Sequence, residues 1–87
     1  MISEKLEIVN DEGIHMRPAM MLSQKAANYS SDISIVFNEK PIDAKSIMQL
    51  MSGSMKKGHK ITLICDGTDE KEAMSELSSI IKTGFGE

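Results

Sequence analysis

The polar and apolar positions of the first third of the chain predict a strand followed by a helix. Residues 2–9 alternate charged and apolar side chains, as in a strand with one buried face. The turn-forming residues at 10–13 then break this pattern. In residues 18–29 the period changes, and the apolar side chains that recur at spacings of three and four predict a helix with one buried stripe, formed by Ala19, Leu22, Ala26 and Tyr29.

Three later segments are predicted as strands. Residues 33–37 place alternate apolar side chains on one face, and a short turn at 38–40 follows. The next segment, residues 41–43, begins with Pro41, which has no N–H to donate, so this strand is expected at the edge of a sheet. Lys60–Asp66 has apolar side chains on both faces, which predicts a central strand: Ile61, Leu63 and Cys65 on one face, with Thr62 and Ile64 on the other.

A short helix is predicted over residues 46–52. Ser46 suits the N-cap position, and Gln49 three residues later completes the pattern of a capping box. Gly53 or Gly58 can end the helix, because glycine is the residue most often found just after a helix C-terminus.

The last predicted helix covers residues 69–82, with Asp69 as its N-cap and Gly84 and Gly86 as terminators. Its core stripe consists of Ala73, Leu77, Ile80 and Ile81. The element order is therefore β-α-β-β-α-β-α. Such elements share one core when the helices cover one face of a sheet, so we predict an α+β open-faced sandwich: a four-stranded antiparallel sheet with three helices on one face, as a single domain over residues 1–87.

Composition excludes several classes of protein. The net charge of −3 and an aromatic content of 3% argue against a nucleic-acid partner held by charge or by base stacking. Cys65 is the only cysteine, so an internal disulfide is excluded. The N-terminal residues lack the apolar run of a signal peptide, and no segment approaches the length of a membrane span. We therefore expect a cytoplasmic protein without membrane insertion.

His15 is the strongest candidate for chemistry. It directly precedes the first predicted helix, where unpaired backbone N–H groups stabilise an anion. A neutral imidazole is a nucleophile near neutral pH, and Arg17 can place a permanent positive charge at the same point. Gly13 allows a tight turn and Pro18 suits the first helical turn. The alternative, that His15 only caps the helix and Arg17 is a surface charge, remains open from spacing alone.

Other candidate residues have simpler interpretations. His59 lies in a basic turn before a strand, where a solvated loop residue is expected. The chain has no glycine-rich phosphate loop, no nucleophile elbow and no cluster of His and Cys with the spacing of a metal site, so we predict neither a metal nor a cofactor. The helix that follows Ser46 carries more apolar residues than can face a sheet, which indicates either an exposed partner-binding surface or an overfilled core: Ile47, Met48, Met51 and Met55.

Two motifs resemble those of one known family. Residues 13–19 read GIHMRPA and resemble the active-site signature of HPr, the histidine-containing phosphocarrier family of the bacterial sugar phosphotransferase system. Residues 44–48 read AKSIM and, with the Met and Ser at 51–52, resemble the regulatory-serine segment of its Gram-positive members. The two motifs lie 31 positions apart, and the resemblance extends over the whole chain.

The resemblance implies a function and a set of partners. His15 would accept a phosphoryl group on Nδ1 from enzyme I and pass it to a histidine on the A domain of a sugar permease, without turnover of its own. Arg17 and the backbone N–H groups of Met16 and Arg17 would bind the phosphoryl oxygens. Ser46 would be phosphorylated by an HPr kinase/phosphorylase, and a catabolite-control transcription regulator would bind the product. The protein would be a monomer with an apolar partner surface: Met16, Met20, Ile47, Met48 and Met51.

The sequence departs from the family pattern at four places, which bear on partner choice more than on phosphoryl chemistry. Met16 replaces a small residue, Met20 replaces a polar one, and the pairs at 38–39 and 53–54 differ from the usual Asn-Gly and Leu-Gly. Three alternatives are weaker: a purely regulatory module acting through Ser46, a nitrogen-regulatory paralogue, and a fold relative without phosphate chemistry. Retention of His15 and Arg17 disfavours the first, and the Ser46 segment disfavours the second.

Overall fold

The computed structural model describes residues 1–87 and contains the predicted elements in the predicted order. The strands are β1 (Ile2–Glu7), β2 (Asp32–Phe37), β3 (Lys40–Asp43) and β4 (Lys60–Asp66). The helices are α1 (Met16–Ala26), α2 (Ile47–Ser52) and α3 (Glu70–Lys82), and a short 3₁₀ turn covers Gly84–Gly86. No helix is both long and apolar enough to span a bilayer.

The four strands form one antiparallel sheet in the order β1-β4-β2-β3. The strand with apolar residues on both faces, β4, lies in the interior of the sheet between β1 and β2, as predicted. The strand that carries Pro41 forms one edge, also as predicted, so its missing N–H removes no ladder hydrogen bond. The three helices pack on one face, and the open-faced sandwich is confirmed.

The core lies between the sheet and the helices. Inward-facing residues of the central strands, such as Ile35 and Leu63, are fully buried, whereas Thr62 and Ile64 on the other face of β4 are only half-buried. The α3 stripe differs slightly from the prediction, because Ile80 is only partly buried and Met74 joins the core. Cys65 is fully buried, and burial raises the pKa of its thiol.

The first strand and the first helix have different bounds from those predicted. The ladder of β1 ends at Glu7 rather than residue 9, although the Ile8 N–H still donates to the His59 carbonyl at 2.9 Å. Helix α1 begins at Met16, two residues before Pro18, because proline is tolerated anywhere in the first turn. It ends at Ala26, and the chain to residue 29 continues as a turn.

At the two turns where the sequence departs from the family pattern, residues 38–39 and 53–54, non-glycine residues adopt left-handed backbone angles. Asn38 and Glu39 have φ values of 53° and 65°, so the β2–β3 hairpin uses the turn that Asn-Gly favours without its glycine. After α2, Gly53 is right-handed and Ser54 takes the left-handed position with φ of 56°. Gly53 follows the last residue of α2, as predicted, although the left-handed residue at this helix end is Ser54. A Cβ at Gly53 would lie 2.7 Å from Cδ1 of Ile42, so a larger residue there would require the Ile42 side chain to move.

Asp69 stands at the N-cap position of α3, but its side chain does not cap the helix. It reaches across to the loop before β2, where it accepts hydrogen bonds from the Ser31 hydroxyl and from the backbone N–H groups of Ser30 and Ser31, the latter two at 2.8 and 3.0 Å. These bonds, the one from the Ser31 hydroxyl first, lower the pKa of Asp69 to about 2. The predicted helix cap is instead a link between α3 and β2.

This link predicts a specific loss of stability in acid. A carboxyl whose pKa falls from 3.8 to about 2 on folding stabilises the protein above pH 3.8, and the stabilisation is lost as pH falls through 2. Asp69→Asn is therefore expected to lower Tm at neutral pH and to flatten the fall of Tm between pH 4 and pH 2, measured by circular dichroism. Asp32→Asn, at an exposed carboxylate without a hydrogen bond, is the control. An unchanged acid slope in Asp69→Asn would contradict the assignment.

Candidate functional site

The loop before α1 is held against the loop that follows α2. The Ile14 N–H donates to the Met55 carbonyl at 2.9 Å, and both Ile14 and Met55 are buried. Gly13 has φ of 66°, and a Cβ at this position would clash with the Met55 carbonyl oxygen. A residue with a side chain therefore cannot replace Gly13 without moving the two loops apart. The glycine allows the close approach of the two loops, which fixes the position of His15 two residues later.

His15 is the N-cap residue of α1, but its side chain forms no cap hydrogen bond. The interpretation that the imidazole only caps the helix is therefore wrong. The first backbone N–H to bond within the helix is that of Ala19, which donates to the His15 carbonyl at 3.0 Å. Pro18 has no N–H, and the N–H groups of Met16 and Arg17 form no hydrogen bond. Two free donors at the positive end of the helix dipole thus lie next to the imidazole.

The imidazole of His15 is half-buried, and its two nitrogens have different surroundings. Nε2 lies 2.8 Å from Oε2 of Glu87 and 3.7 Å from Oε2 of Glu12, whereas Nδ1 has no hydrogen-bond partner. A carboxylate can only accept, so in the neutral ring Nε2 carries the proton and Nδ1 carries the free lone pair. This assignment of the tautomer follows from the hydrogen bond. The nitrogen available as a nucleophile is Nδ1.

Glu87 and Asn10 are site residues that the sequence analysis did not find. The buried Asn10 amide donates to Oε1 of Glu87 at 3.0 Å and to the Gly13 carbonyl at 2.6 Å. The hydrogen bond from Asn10 is the main reason that the pKa of Glu87 is lowered, and the bond from His15 and the charge of Arg17 act in the same direction. Glu87 lies 72 positions from His15, so no local pattern could have paired them.

Arg17 lies beside this cluster and is exposed. Its charge contributes to the lowered pKa of Glu87, but its guanidinium forms no ion pair within 4.0 Å. It lines a groove together with Glu12 and Glu87. The fork of N–H donors is therefore free to bind an anion that approaches His15.

Ser46 caps α2 as the sequence predicts, but only half of the capping box forms. The Gln49 N–H donates to the Ser46 hydroxyl at 3.2 Å. The Gln49 side chain does not return to the Ser46 N–H, which donates to the Asp43 carbonyl; instead it accepts from the Asp43 N–H at 2.9 Å. The end of β3 therefore replaces the Ser46 backbone as the partner of Gln49.

Five large apolar side chains on α1 and α2 are exposed. Met48 is 82% exposed and Met16 is 58% exposed, while the others lie between 38% and 40%: Met20, Ile47 and Met51. Met55 is the exception, with 1% exposure in the core. The prediction that the apolar residues after Ser46 cannot all face the sheet is confirmed. We refer to the five exposed residues as the apolar face.

His59 has a structural role rather than that of a solvated loop residue. Its ring stacks on Phe37 with the ring centroids 4.8 Å apart, and its Nδ1 accepts the Lys56 N–H at 3.0 Å. His59 lies in the loop before β4, as predicted, but its ring is packed against Phe37 and is only half-exposed. Neither His59 nor Cys65 joins a cluster of metal-ligating side chains, and the structure contains no such cluster of three or more.

Comparison with known proteins gives consistent results. A family model described as "PTS HPr component phosphorylation site" matches residues 2–83. The HPr-C-His structure from Thermoanaerobacter tengcongensis is 39% identical, with a TM-score of 0.95 over 100% of this chain and 98% of that one. The histidine-containing phosphocarrier protein of a mycoplasma is 36% identical, with a TM-score of 0.89 over 95% and 96% of the two chains. Crh from Bacillus subtilis, a domain-swapped dimer, is 37% identical, with a TM-score of 0.76 over 93% of each chain.

Proposed function

This chain belongs to the HPr family of the bacterial phosphotransferase system, and we propose that it carries a phosphoryl group on Nδ1 of His15, from enzyme I to the A domains of sugar permeases. The observation that carries the proposal is the geometry at the start of α1. An unpartnered nucleophilic nitrogen stands beside two free backbone N–H groups and an unpaired guanidinium.

The transfer is a displacement at phosphorus. The lone pair of Nδ1 forms the new N–P bond while the bond from phosphorus to the donor breaks, and the donor keeps that electron pair. Charge on the phosphoryl oxygens is stabilised by the N–H groups of Met16 and Arg17 and by the Arg17 side chain. The second transfer, to a histidine of the permease domain, reverses these bond changes. The chain returns to its starting state and acts as a carrier without turnover of its own.

The apolar face is the proposed docking surface for these partners. Met16 follows His15 directly and Met20 lies one helical turn further along α1. Flexible methionine side chains can adapt to several partners, which suits a carrier that binds a donor and different acceptors in turn. The exposure of all five side chains supports this role, because several exposed large apolar side chains on two helices indicate a binding surface, whereas a single one needs no explanation.

The test is phosphorylation in a defined mixture. The protein is incubated with phosphoenolpyruvate and enzyme I, and the intact mass is measured before and after mild acid. We expect a gain of one phosphate that is lost in acid, as for a phosphoramidate bond. An unchanged mass, in a mixture where a known carrier is phosphorylated, would refute the proposed function.

A purely regulatory module is the second candidate, and the similarity to Crh supports it. The family resemblance implies that regulatory paralogues have lost the active histidine. This chain retains His15 and Arg17, so the carrier is favoured. The same mass measurement separates the candidates, because a regulatory module would gain no phosphate from enzyme I. It would gain an acid-stable phosphate on serine only when a kinase and ATP are added.

We further propose that Ser46 is a regulatory phosphorylation site for an HPr kinase/phosphorylase, and that the modified surface binds a catabolite-control transcription regulator. Its hydroxyl is half-buried and caps α2, next to three residues of the apolar face. A phosphate there adds a charge of about −1.5 to −2 at the positive end of the helix, so it should not unfold α2. The same charge would repel an acidic partner and attract a basic one.

Substitutions at Ser46 separate this surface effect from loss of structure. Ser46→Ala removes the cap and should lower the free energy of unfolding by about 0.5–2 kcal/mol. Ser46→Asp should slow phosphorylation of His15 by enzyme I while Tm stays at or above that of the wild type. Ser3→Asp, on the open face of the sheet, is the control for added charge. If Ser46→Asp melts the domain, slowed transfer would report lost structure and the proposal would fail.

The cellular setting completes the proposal. We propose that the protein is cytoplasmic, because enzyme I and the A domains of the sugar permeases, its proposed donor and acceptors, act in the cytoplasm. We propose a monomer as the carrying form, since His15 and the apolar face must be accessible to each partner. A dimer like that of Crh is the alternative, and sedimentation of the protein at micromolar concentration distinguishes the two.

A further inference from the structure

Methionine makes up four of the five residues of the apolar face, and two of these methionines border the nucleophile. Met16 and Met20 lie one helical turn apart on α1 and line one groove with His15. Met48 and Met51 lie one turn apart on α2, which packs against α1. We propose that these methionines are a site of reversible oxidation by hydroperoxides, and that their conversion to sulfoxides weakens docking of the phosphoryl donor and acceptors. The inference rests on the proposed function and adds its regulation.

The eight methionines of the chain differ widely in their access to solvent. On the apolar face, Met48 is 82% exposed and Met16 is 58% exposed. Met55 and Met74 lie in the core, with 1% and 8% exposure, and Met21 is partly buried against it. Oxidation requires contact between the oxidant and the sulfur atom, so it should begin on the apolar face and leave the core methionines intact.

Cys65 carries the other kind of sulfur that a hydroperoxide attacks. It is the only cysteine and is fully buried, and burial raises the pKa of its thiol. The reactive form of cysteine is the thiolate, which is scarce at such a position and out of contact with solvent. The sulfur atoms available to an oxidant are therefore the exposed thioethers and not the thiol.

The oxidation transfers one oxygen atom to each methionine. A lone pair of the thioether sulfur attacks one oxygen of the hydroperoxide, the O–O bond breaks, and the other oxygen leaves with the proton as water or an alcohol. The sulfur loses two electrons and the hydroperoxide gains them. A methionine sulfoxide reductase reverses the change. In that step the oxygen leaves as water, and two thiols supply the electrons and become a disulfide.

A sulfoxide changes the property on which docking to the apolar face depends. A thioether is apolar and polarizable, whereas a sulfoxide is polar and carries an oxygen that accepts hydrogen bonds. A partner that covers an oxidised face must bury this oxygen without a matching donor, which costs binding free energy. Ile47, on the same face, has no sulfur and keeps its apolar contact. Oxidation therefore weakens docking, and the carrier slows when hydroperoxides accumulate.

The experiment compares the wild type with a variant in which leucine replaces every methionine of the apolar face: Met16→Leu, Met20→Leu, Met48→Leu and Met51→Leu. Leucine keeps the apolar bulk of these side chains without the sulfur. Each protein is treated with hydrogen peroxide, peptide mapping identifies the oxidised residues, and treatment stops before Met55 or Met74 reacts. Phosphorylation of His15 is then measured with enzyme I, which must dock, and with phosphoramidate, which needs no partner protein. Each rate is compared with that of the same protein before treatment.

In the wild type, peroxide should lower the rate of phosphorylation by enzyme I at least about tenfold at low carrier concentration, the loss expected when one large apolar side chain is no longer buried favourably. Phosphorylation by phosphoramidate should be unchanged, because a small donor does not cover the apolar face. Methionine sulfoxide reductases for both epimers should restore the first rate. The leucine variant should keep its own starting rate, although Met1, 78% exposed and paired with Glu70 away from the face, is oxidised in both proteins.

Three results would overturn the proposal. One is an unchanged rate with enzyme I in wild-type protein whose face methionines are shown to be oxidised. Another is an equal loss in the leucine variant, which would trace the effect to Met1 or another group. The third is an equal loss with phosphoramidate, which would place the damage at His15 and not in docking. If enzyme I fails to phosphorylate the untreated wild type, in a mixture where a known carrier is phosphorylated, the proposed function is wrong and this inference fails with it.

Discussion

His15→Ala is expected to abolish the acid-labile phosphorylation by enzyme I, while His59→Ala keeps it. The two histidines differ in what their ring nitrogens contact. Nδ1 of His15 has no partner and stands beside free helix N–H groups, whereas Nδ1 of His59 accepts the Lys56 N–H and its ring stacks on Phe37. Only the first ring can attack phosphorus. Intact mass after incubation with phosphoenolpyruvate and enzyme I measures the effect.

The control variant needs its own check, because His59 supports the turn before β4. His59→Ala should lower Tm through loss of the stacking contact and of the hydrogen bond to Lys56, so labelling is measured well below its melting temperature. Labelling that persists in His15→Ala would refute the carrier proposal. Loss of labelling in a folded His59→Ala would show that the partner surface extends to this turn.

Arg17→Gly should slow phosphoryl transfer about 10²- to 10³-fold, the usual loss when one positioned donor to a developing charge is removed. The guanidinium forms no ion pair in the free protein, so its binding capacity is available to the phosphoryl oxygens. Arg17→Lys should also be impaired, because an ammonium group lacks the planar fork of donors. Single-turnover transfer from enzyme I, followed by rapid quench, gives the rates.

Lys71→Gln is the matched control for Arg17, since it removes one positive charge from an exposed position on α3. It should transfer at the wild-type rate. A wild-type rate in Arg17→Gly would show that the backbone N–H groups of Met16 and Arg17 suffice. A loss of rate in Lys71→Gln as large as that in Arg17→Gly would attribute the effect to overall charge.

The elements of this fold could be predicted from the sequence because their signals are local. The apolar residues of β4 recur with a period of two, and those of α3 recur every three to four residues. Pro41 marks an edge strand. Each of these signals involves only residues that are close together along the chain. The position of His15 before a helix with free N–H groups is also a local feature, since Gly13 and Pro18 both lie within three residues of His15. These features follow from steric and hydrogen-bonding rules that act over a few residues.

Details of the caps and the turns depended on partners distant in sequence. Asp69 matches the pattern of an N-cap, yet its carboxylate accepts from Ser30 and Ser31, because packing of α3 on the sheet brings that loop within reach. Gln49 matches the pattern of a capping box but bonds to the end of β3. In both cases the polar side chain could have bonded to its own helix end. It bonds instead to a loop or strand end that the packing of the fold holds within hydrogen-bond distance.

The sequence by itself determined the fold class and singled out His15 and Arg17 as the candidate site residues. Only the tertiary structure decided which nitrogen of His15 is free, because that depends on Glu87, which reaches the site through the burial of Phe85 and the amide of Asn10. It also decided that Gly13 is required, since the obstacle to a side chain is the Met55 carbonyl of another loop. Contacts between residues far apart in sequence form only when the chain packs, so no pattern of neighbours along the chain encodes them.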